Sequence, residues 1–137
     1  MTIVLVHNFY QEPGGEDSVL ANEEALLRRH GHRVVRFTRH NDEVSRMGRV
    51  ELAAATVWNR DAARELYELL LRERAEVVHF HNTFPLISPA AYHAASKAGV
   101  PVVQTLHNYR LICPNAYLLR AGRICEDCVG KTVPWPG

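Results

Sequence analysis

Three short apolar runs in this chain end in the same pair of residues, His-Asn. They are Val4-Leu5-Val6 before His7-Asn8, Val77-Val78-His79-Phe80 before His81-Asn82, and Val102-Val103-Gln104-Thr105-Leu106 before His107-Asn108. An imidazole can carry or hold a proton near neutral pH, and a carboxamide both donates and accepts. The runs are β-branched and nearly continuous, as in strands buried on both faces of a parallel sheet. Ligands of open α/β sheets bind at the carboxyl ends of the strands. The three pairs are therefore expected to line one rim. Any one of them also fits an ordinary strand end; three matching positions favour a functional rim.

Two further groups can do chemistry. Pro13-Gly14-Gly15-Glu16-Asp17 follows the first strand and opens a helix. Adjacent glycines let a ligand approach the backbone closely, and the helix start presents its positive end to an anion. The loop reads either as a diphosphate seat or as a tight turn. It is neither a G-x-G-x-x-G fingerprint nor a P-loop. Cys113-x11-Cys125-x2-Cys128 frames a hairpin signal at Arg120-Ala121-Gly122. These three thiols fit half of a zinc-ribbon or zinc-knuckle site, with a fourth ligand from His107 or from beyond Gly137. A disulfide and free thiols are the other readings. A thioredoxin-type redox site fits badly, because Cys125 does not open a helix after a strand.

Positioning these groups requires alternating strands and helices. Strands are expected at Ile3–Val6, Arg33–Phe37, Val77–Phe80 and Pro101–Leu106. Helices are expected from about Ser18 to His30, Asn59 to Arg74 and Ser88 to Ala98. That order predicts an α/β fold, a Rossmann-like open parallel sheet with helices on both faces. The Ile3 strand should be central, between the Arg33 and Val77 strands, with the Pro101 strand beyond. Val19, Leu20, Leu26 and Leu27 define the apolar face of the first helix, and Glu23 projects into that face. Either the helix turns to leave Glu23 at its edge, or Glu23 braces the rim by pairing with an Arg or His. Ala62, Leu66, Leu69 and Leu70 form the buried face of the second helix.

Arg39 to Val57 has no clean period. It is expected to be a mobile segment that orders with an acceptor or a second domain. Arg39-His40-Asn41-Asp42-Glu43 reads either as a solvated loop or as an acceptor contact. The domain boundaries are expected at 1–110 for the sheet and 111–137 for a Cys-containing C-terminal hairpin lobe. The chain stops at Pro134-Trp135-Pro136-Gly137 and reads as a fragment of a longer protein.

With 137 residues, 47% hydrophobic and 23% charged, the chain has the size and balance of a soluble globular domain. A net charge of +1 gives no reason to expect nucleic acid as a partner. Eight histidines would raise that charge below about pH 6.5. No apolar stretch approaches the roughly 20 residues of a membrane span. The first residues lack a secretory signal, so the expected compartment is the cytoplasm. Three cysteines, an odd number, argue against a closed disulfide framework.

The strand ending in His7, the Pro-Gly-Gly-x-Asp/Glu loop, the helix and Gly31-His32-Arg33-Val34 together resemble the N-terminal half of family 4 glycosyltransferases of the GT-B fold. Val77-Val78-His79-Phe80-His81 resembles that family's "D-[VI]-[VI]-H-x-H" strand, with Glu76 where Asp is common. Pro101 to Asn108 resembles its "P-x-[VI]-x-T-x-H-[DN]" strand. The resemblance covers about residues 1 to 110. It implies the acceptor-side domain of a retaining enzyme that needs no metal for chemistry. A missing C-terminal domain would hold most of a nucleotide-sugar donor. The fragment alone would then be inactive. Gly14 and Gly15 match the loop near the donor diphosphate, and His107 matches the histidine near the reacting carbon. His7, Asn8, His81, Asn82 and Asn108 would touch the acceptor or support residues that do. The acceptor could be a glycan, a lipid-linked or a small molecule, and peripheral membrane association of a longer chain is compatible with this. A non-catalytic nucleotide- or sugar-binding α/β module is the alternative, and a small metal-binding interaction module on the same scaffold is a third. His7, Gly14, Gly15, His81 and His107 are expected to share one concavity.

Overall fold

The computed structural model of the chain describes residues 1–12 and 14–132. Pro13 of the glycine loop and the Pro134–Gly137 terminus lie outside the described residues. The chain divides into two compact units, Met1–Thr105 and Leu106–Gly137.

The first unit is α/β. Its strands are β1 (Thr2–Phe9), β2 (Arg33–His40), β3 (Val77–Phe80) and β4 (Val102–Gln104). They form one sheet in the order β2-β1-β3-β4, every pair parallel, as the alternation predicts. Its helices are α1 (Gly15–Arg29), α2 (Arg49–Trp58), α3 (Arg60–Arg72) and α4 (Ala90–Lys97).

Side-chain alternation along β1 and β3 decides which helix meets which residue. Val4, Val6, Val78 and Phe80 pack with Leu66, Leu69 and Leu70 of α3 and with Ala91 and Ala95 of α4. Ile3 and Leu5 point the other way, onto Leu20 of α1, with Val34 beside them. Burying each large aliphatic or aromatic side chain contributes about 1.5–3 kcal/mol, so the two layers together hold the sheet. The same alternation carries His7 and His79 to the α1 face and Asn8 to the other.

α3 keeps the expected face: Ala62, Leu66, Leu69 and Leu70 are its buried residues. It opens one residue later than expected because Asn59 is its cap, accepting from Ala62 N at 3.0 Å.

Other expectations need correction. In α1, Leu20 and Glu24 are buried, whereas Val19 and Leu26 are 42% and 46% exposed. The inward stripe is thus Leu20, Glu24 and Leu27, and the helix is turned so that Glu23 lies at its edge. A buried carboxylate is tolerated at position 24 because two guanidiniums hold it, Arg36 of β2 and Arg28 one turn on. Arg39–Val57 is not an irregular loop. β2 continues to His40, a 3-10 helix covers Asn41–Arg46, and α2 follows. No residue of α2 is buried, so its sequence never acquired an apolar period. Ala53-Ala54-Ala55 makes it helical by local propensity. β4 is an outer strand, with Val102 and Val103 nearly half exposed rather than buried on both faces.

The second unit is built from turns and one hairpin, β5 (Leu119–Arg120) paired antiparallel with β6 (Arg123–Ile124). Ala121 and Gly122 between them have φ of 50° and 74°. Two left-handed residues make the turn whose twist suits a hairpin, and glycine takes the second position without strain. Tyr109 O accepts from Ile112 N and Cys113 N, and Cys125 N donates to Leu118 O.

Candidate functional site

The carboxyl ends of β1 and β3 carry a connected set of polar side chains. His7 lies within β1 rather than after it, paired in register with Thr38. Its side chain is fully buried, and Nε2 lies 2.7 Å from Asp17 Oδ1. The other carboxylate oxygen of Asp17 accepts from Gly14 N at 2.9 Å, the backward arm of a capping box. One carboxylate thus ties the rim imidazole to the glycine loop. Gly15 opens α1, so its N–H is among the first-turn donors that have no carbonyl within the helix. Neither glycine has a left-handed φ. A Cβ on either would meet no atom within 4 Å among the described residues.

On the same face, His79 Nδ1 lies 2.5 Å from Glu23 Oε1, and His81 Nε2 lies 3.4 Å from Glu23 Oε2. The His79 and His81 rings stack at 4.5 Å, and His7 stands 6.2 Å from His81. His79 Nε2 is 2.8 Å from the Thr105 hydroxyl. Glu23 therefore does both things the sequence offered as alternatives: it sits at the helix edge, and it braces the rim against histidine.

Asn8 and Asn82, both buried, face the opposite layer and each other. Asn8 N donates to Asn82 O at 2.9 Å, and Asn82 Nδ2 donates to Asn8 O at 2.8 Å. Asn8 Nδ2 reaches Asn41 Oδ1, and its Oδ1 accepts from Leu86 N. These amides join β1 to the loops after β2 and β3. Gln104 Nε2 donates to His81 O at 2.9 Å, and its Oε1 accepts from the Tyr92 hydroxyl. Burial raises the pKa of Tyr92, opposed by a hydrogen bond with Thr83. Beyond β2, Arg39, Glu43, Met47, Ala55 and Asn59 border a concavity of about 700 Å³.

The site residues expected from sequence thus divide. His7, Gly14 and Gly15 are joined through Asp17, and His81 adjoins His7. Asn8 and Asn82 lie behind them. His107 and Asn108 fall in the second unit, where His107 is half-buried and Asn108 Oδ1 accepts from Arg110 N. Cys113, Cys125 and Cys128 line one cavity of about 410 Å³ in that unit and form no disulfide. Hydrogen bonding with the backbone of Leu118 holds the Cys113 thiol below the ordinary range against the effect of burial, with smaller contributions from the backbone of Asn115, Ala116 and Tyr117. The three sulfurs are not all within 4.8 Å of one another; among the described residues that spacing is met by Glu23, His79 and His81.

Sequence reading missed His79, Thr105 and the second role of Asp17. Residues 79 and 81 share a strand face, which was a usable signal. Nothing local announces Thr105, whose pairing with His79 spans the β3–β4 crossover.

A parallel sheet flanked by helices is the architecture of a Rossmann-like domain, and the family comparison is consistent with that fold. The chain belongs to the glycosyl transferase 4-like domain family, whose model matches residues 14–131. It is thus a glycosyltransferase domain, with a sugar donor and an acceptor as its partners in general. No curated protein and no solved structure gives a significant match. Among the described residues no helix is long and apolar enough to cross a membrane.

Proposed function

We propose that this chain is the acceptor-side half of a retaining hexosyltransferase that works in the cytoplasm with a nucleotide-sugar donor. The supporting observation is the glycine pair at the start of α1. Neither backbone conformation nor crowding within the chain calls for glycine there, whereas close approach of a diphosphate would. In this reading the first turn of α1 faces the departing diphosphate as the bond from the sugar carbon to its oxygen breaks. Amides aimed at developing negative charge lower the barrier without reorganising. Gly14 N–H is held by Asp17, so Gly15 and the residues after it are the donors. His7 keeps that carboxylate in place, and His107 positions the donor sugar. The buried His7, Asn8, His81 and Asn82 support the rim from behind, while the concavity beside Arg39 and Glu43 receives the acceptor. A second domain completes the donor site, and no metal takes part in the transfer. For the second unit we keep structural zinc on Cys113, Cys125 and Cys128, drawn together by the ion.

The test is Gly15→Ala in the full-length enzyme. A methyl there fits the backbone and the space, and Ala favours the helix by about 0.5–1 kcal/mol over Gly. Stability should hold or rise while donor KM rises about tenfold. An unchanged donor KM would refute the diphosphate seat. His107→Ala should lower kcat more than it weakens acceptor binding; an unchanged kcat would refute its role.

A further inference from the structure

We propose that Glu23, His79 and His81 form a binding site for a divalent transition-metal ion of the zinc type, separate from the sugar-transfer chemistry. Their ligand atoms lie within 4.8 Å of one another. The set comes from two directions: Glu23 from α1, and the histidines from the end of β3, two residues apart on one face. Two imidazoles and a carboxylate suit zinc and its first-row neighbours rather than magnesium or calcium. Three protein ligands also leave a fourth position for water.

One of the two contacts made by Glu23 has the spacing of metal ligands rather than of a hydrogen bond. Ligand atoms about 2.0–2.2 Å from a tetrahedral zinc lie roughly 3.3–3.6 Å apart. The Glu23–His81 separation of 3.4 Å falls in that range, beyond the roughly 2.7–3.2 Å of an N–H···O bond. The Glu23–His79 contact, at 2.5 Å, must widen. The ion would take the place of the hydrogen bond between that pair. The ring of His79 is already oriented for this. Thr105 holds Nε2 and leaves Nδ1 toward Glu23, the outer-shell hydrogen bond that metal-bound histidines have. The side chains of Glu23 and His79 keep 23% and 12% exposure, so an ion can reach them. Once bound, it would pin α1 to the carboxyl end of β3.

The thiols of the second unit also attract zinc, so the experiment must separate the two. Zinc is titrated into the full chain carrying Cys113→Ser, Cys125→Ser and Cys128→Ser, with binding followed calorimetrically and cobalt(II) as spectroscopic probe. One equivalent should bind, without a thiolate-to-cobalt charge-transfer band. His79→Ala should abolish this binding. Thr105→Val, which leaves all three ligands in place, should weaken it about tenfold. Binding below a tenth of an equivalent, or binding unchanged by His79→Ala, overturns the site. If the serine variant fails to fold, the comparison moves to the cysteine-containing chain. His79→Ala must then lower the bound zinc by one equivalent, and no decrease overturns the proposal. Gly15→Ala in the same titration should leave zinc binding unchanged, which keeps this result distinct from failure of the sugar-transfer reading.

Discussion

The two units solve the same problem with different means. In Met1–Thr105, long-range pairing of four strands and two apolar layers fixes the backbone, and polar groups such as His7 and Glu24 can then be buried with partners. In the second unit the buried residues among those described are Cys113, Ala116 and Cys128, while Leu111, Tyr117 and Ile124 are 78%, 73% and 83% exposed. A lobe of that size has too little apolar surface to hide. Its geometry rests on left-handed turn residues and short-range hydrogen bonds. Polar clustering is a product of the fold in the first unit, whereas in the second the zinc proposed on the three cysteines would itself have to hold the fold.

That contrast can be broken most directly at the cysteines. Cys113→Ser together with Cys125→Ser should erase the dispersed NMR signals of the β5–β6 hairpin and leave those of the sheet in place. A structural zinc site supplies about 10 kcal/mol or more at neutral pH. Survival of the hairpin in that variant would show that its turns suffice. The reverse experiment is Leu66→Ala. Leu66 is fully buried between α3 and the sheet, and the change should cost about 2–5 kcal/mol in denaturant unfolding of the first unit. A cost under 1 kcal/mol would mean that this layer is not what holds the sheet. Gly122→Ala should destabilise the hairpin by about 1 kcal/mol, since Gly122 has a φ of 74°. Hairpin chemical shifts unchanged on heating relative to wild type would remove that expectation.

The smallest effect concerns Glu73 at the end of α3. Hydrogen bonds from Arg33 first, then Arg72, hold its carboxyl below the usual range. A carboxyl depressed in the folded state stabilises it above the unfolded-state pKa, and this is lost as pH falls through the lowered value. Glu73→Gln should therefore lower the thermal midpoint slightly near neutral pH, and the difference should vanish in acid. A difference that grows with acidity would contradict the assignment.

Much of the first unit was legible because its period is set by burial. The runs around Val4, Val78 and Val103 announced strands, and Ala62, Leu66, Leu69 and Leu70 announced a helix face. Strand order followed from crossover geometry. What escaped was whatever depends on a distant partner or on none. The rotation of α1 turns on Arg36, which lies in another element and makes a buried Glu24 acceptable. The site showed the same division: His7 and the glycine pair could be singled out locally, while the Glu23–His79–Thr105 connection required three elements to meet.

Asn59 stands alone between α2 and α3. It caps α3, its N–H donates to Ser88 Oγ, and its Nδ2 donates to Leu86 O. It therefore acts as a firebreak. α2 has no fully buried residue, and its amides should exchange with deuterium through local fraying, many-fold faster than those of α3. The fraying should halt at Asn59, because melting one residue further would forfeit three anchored hydrogen bonds at once. The segment bordering the large concavity can thus open and reclose without disturbing the helix that seals the sheet.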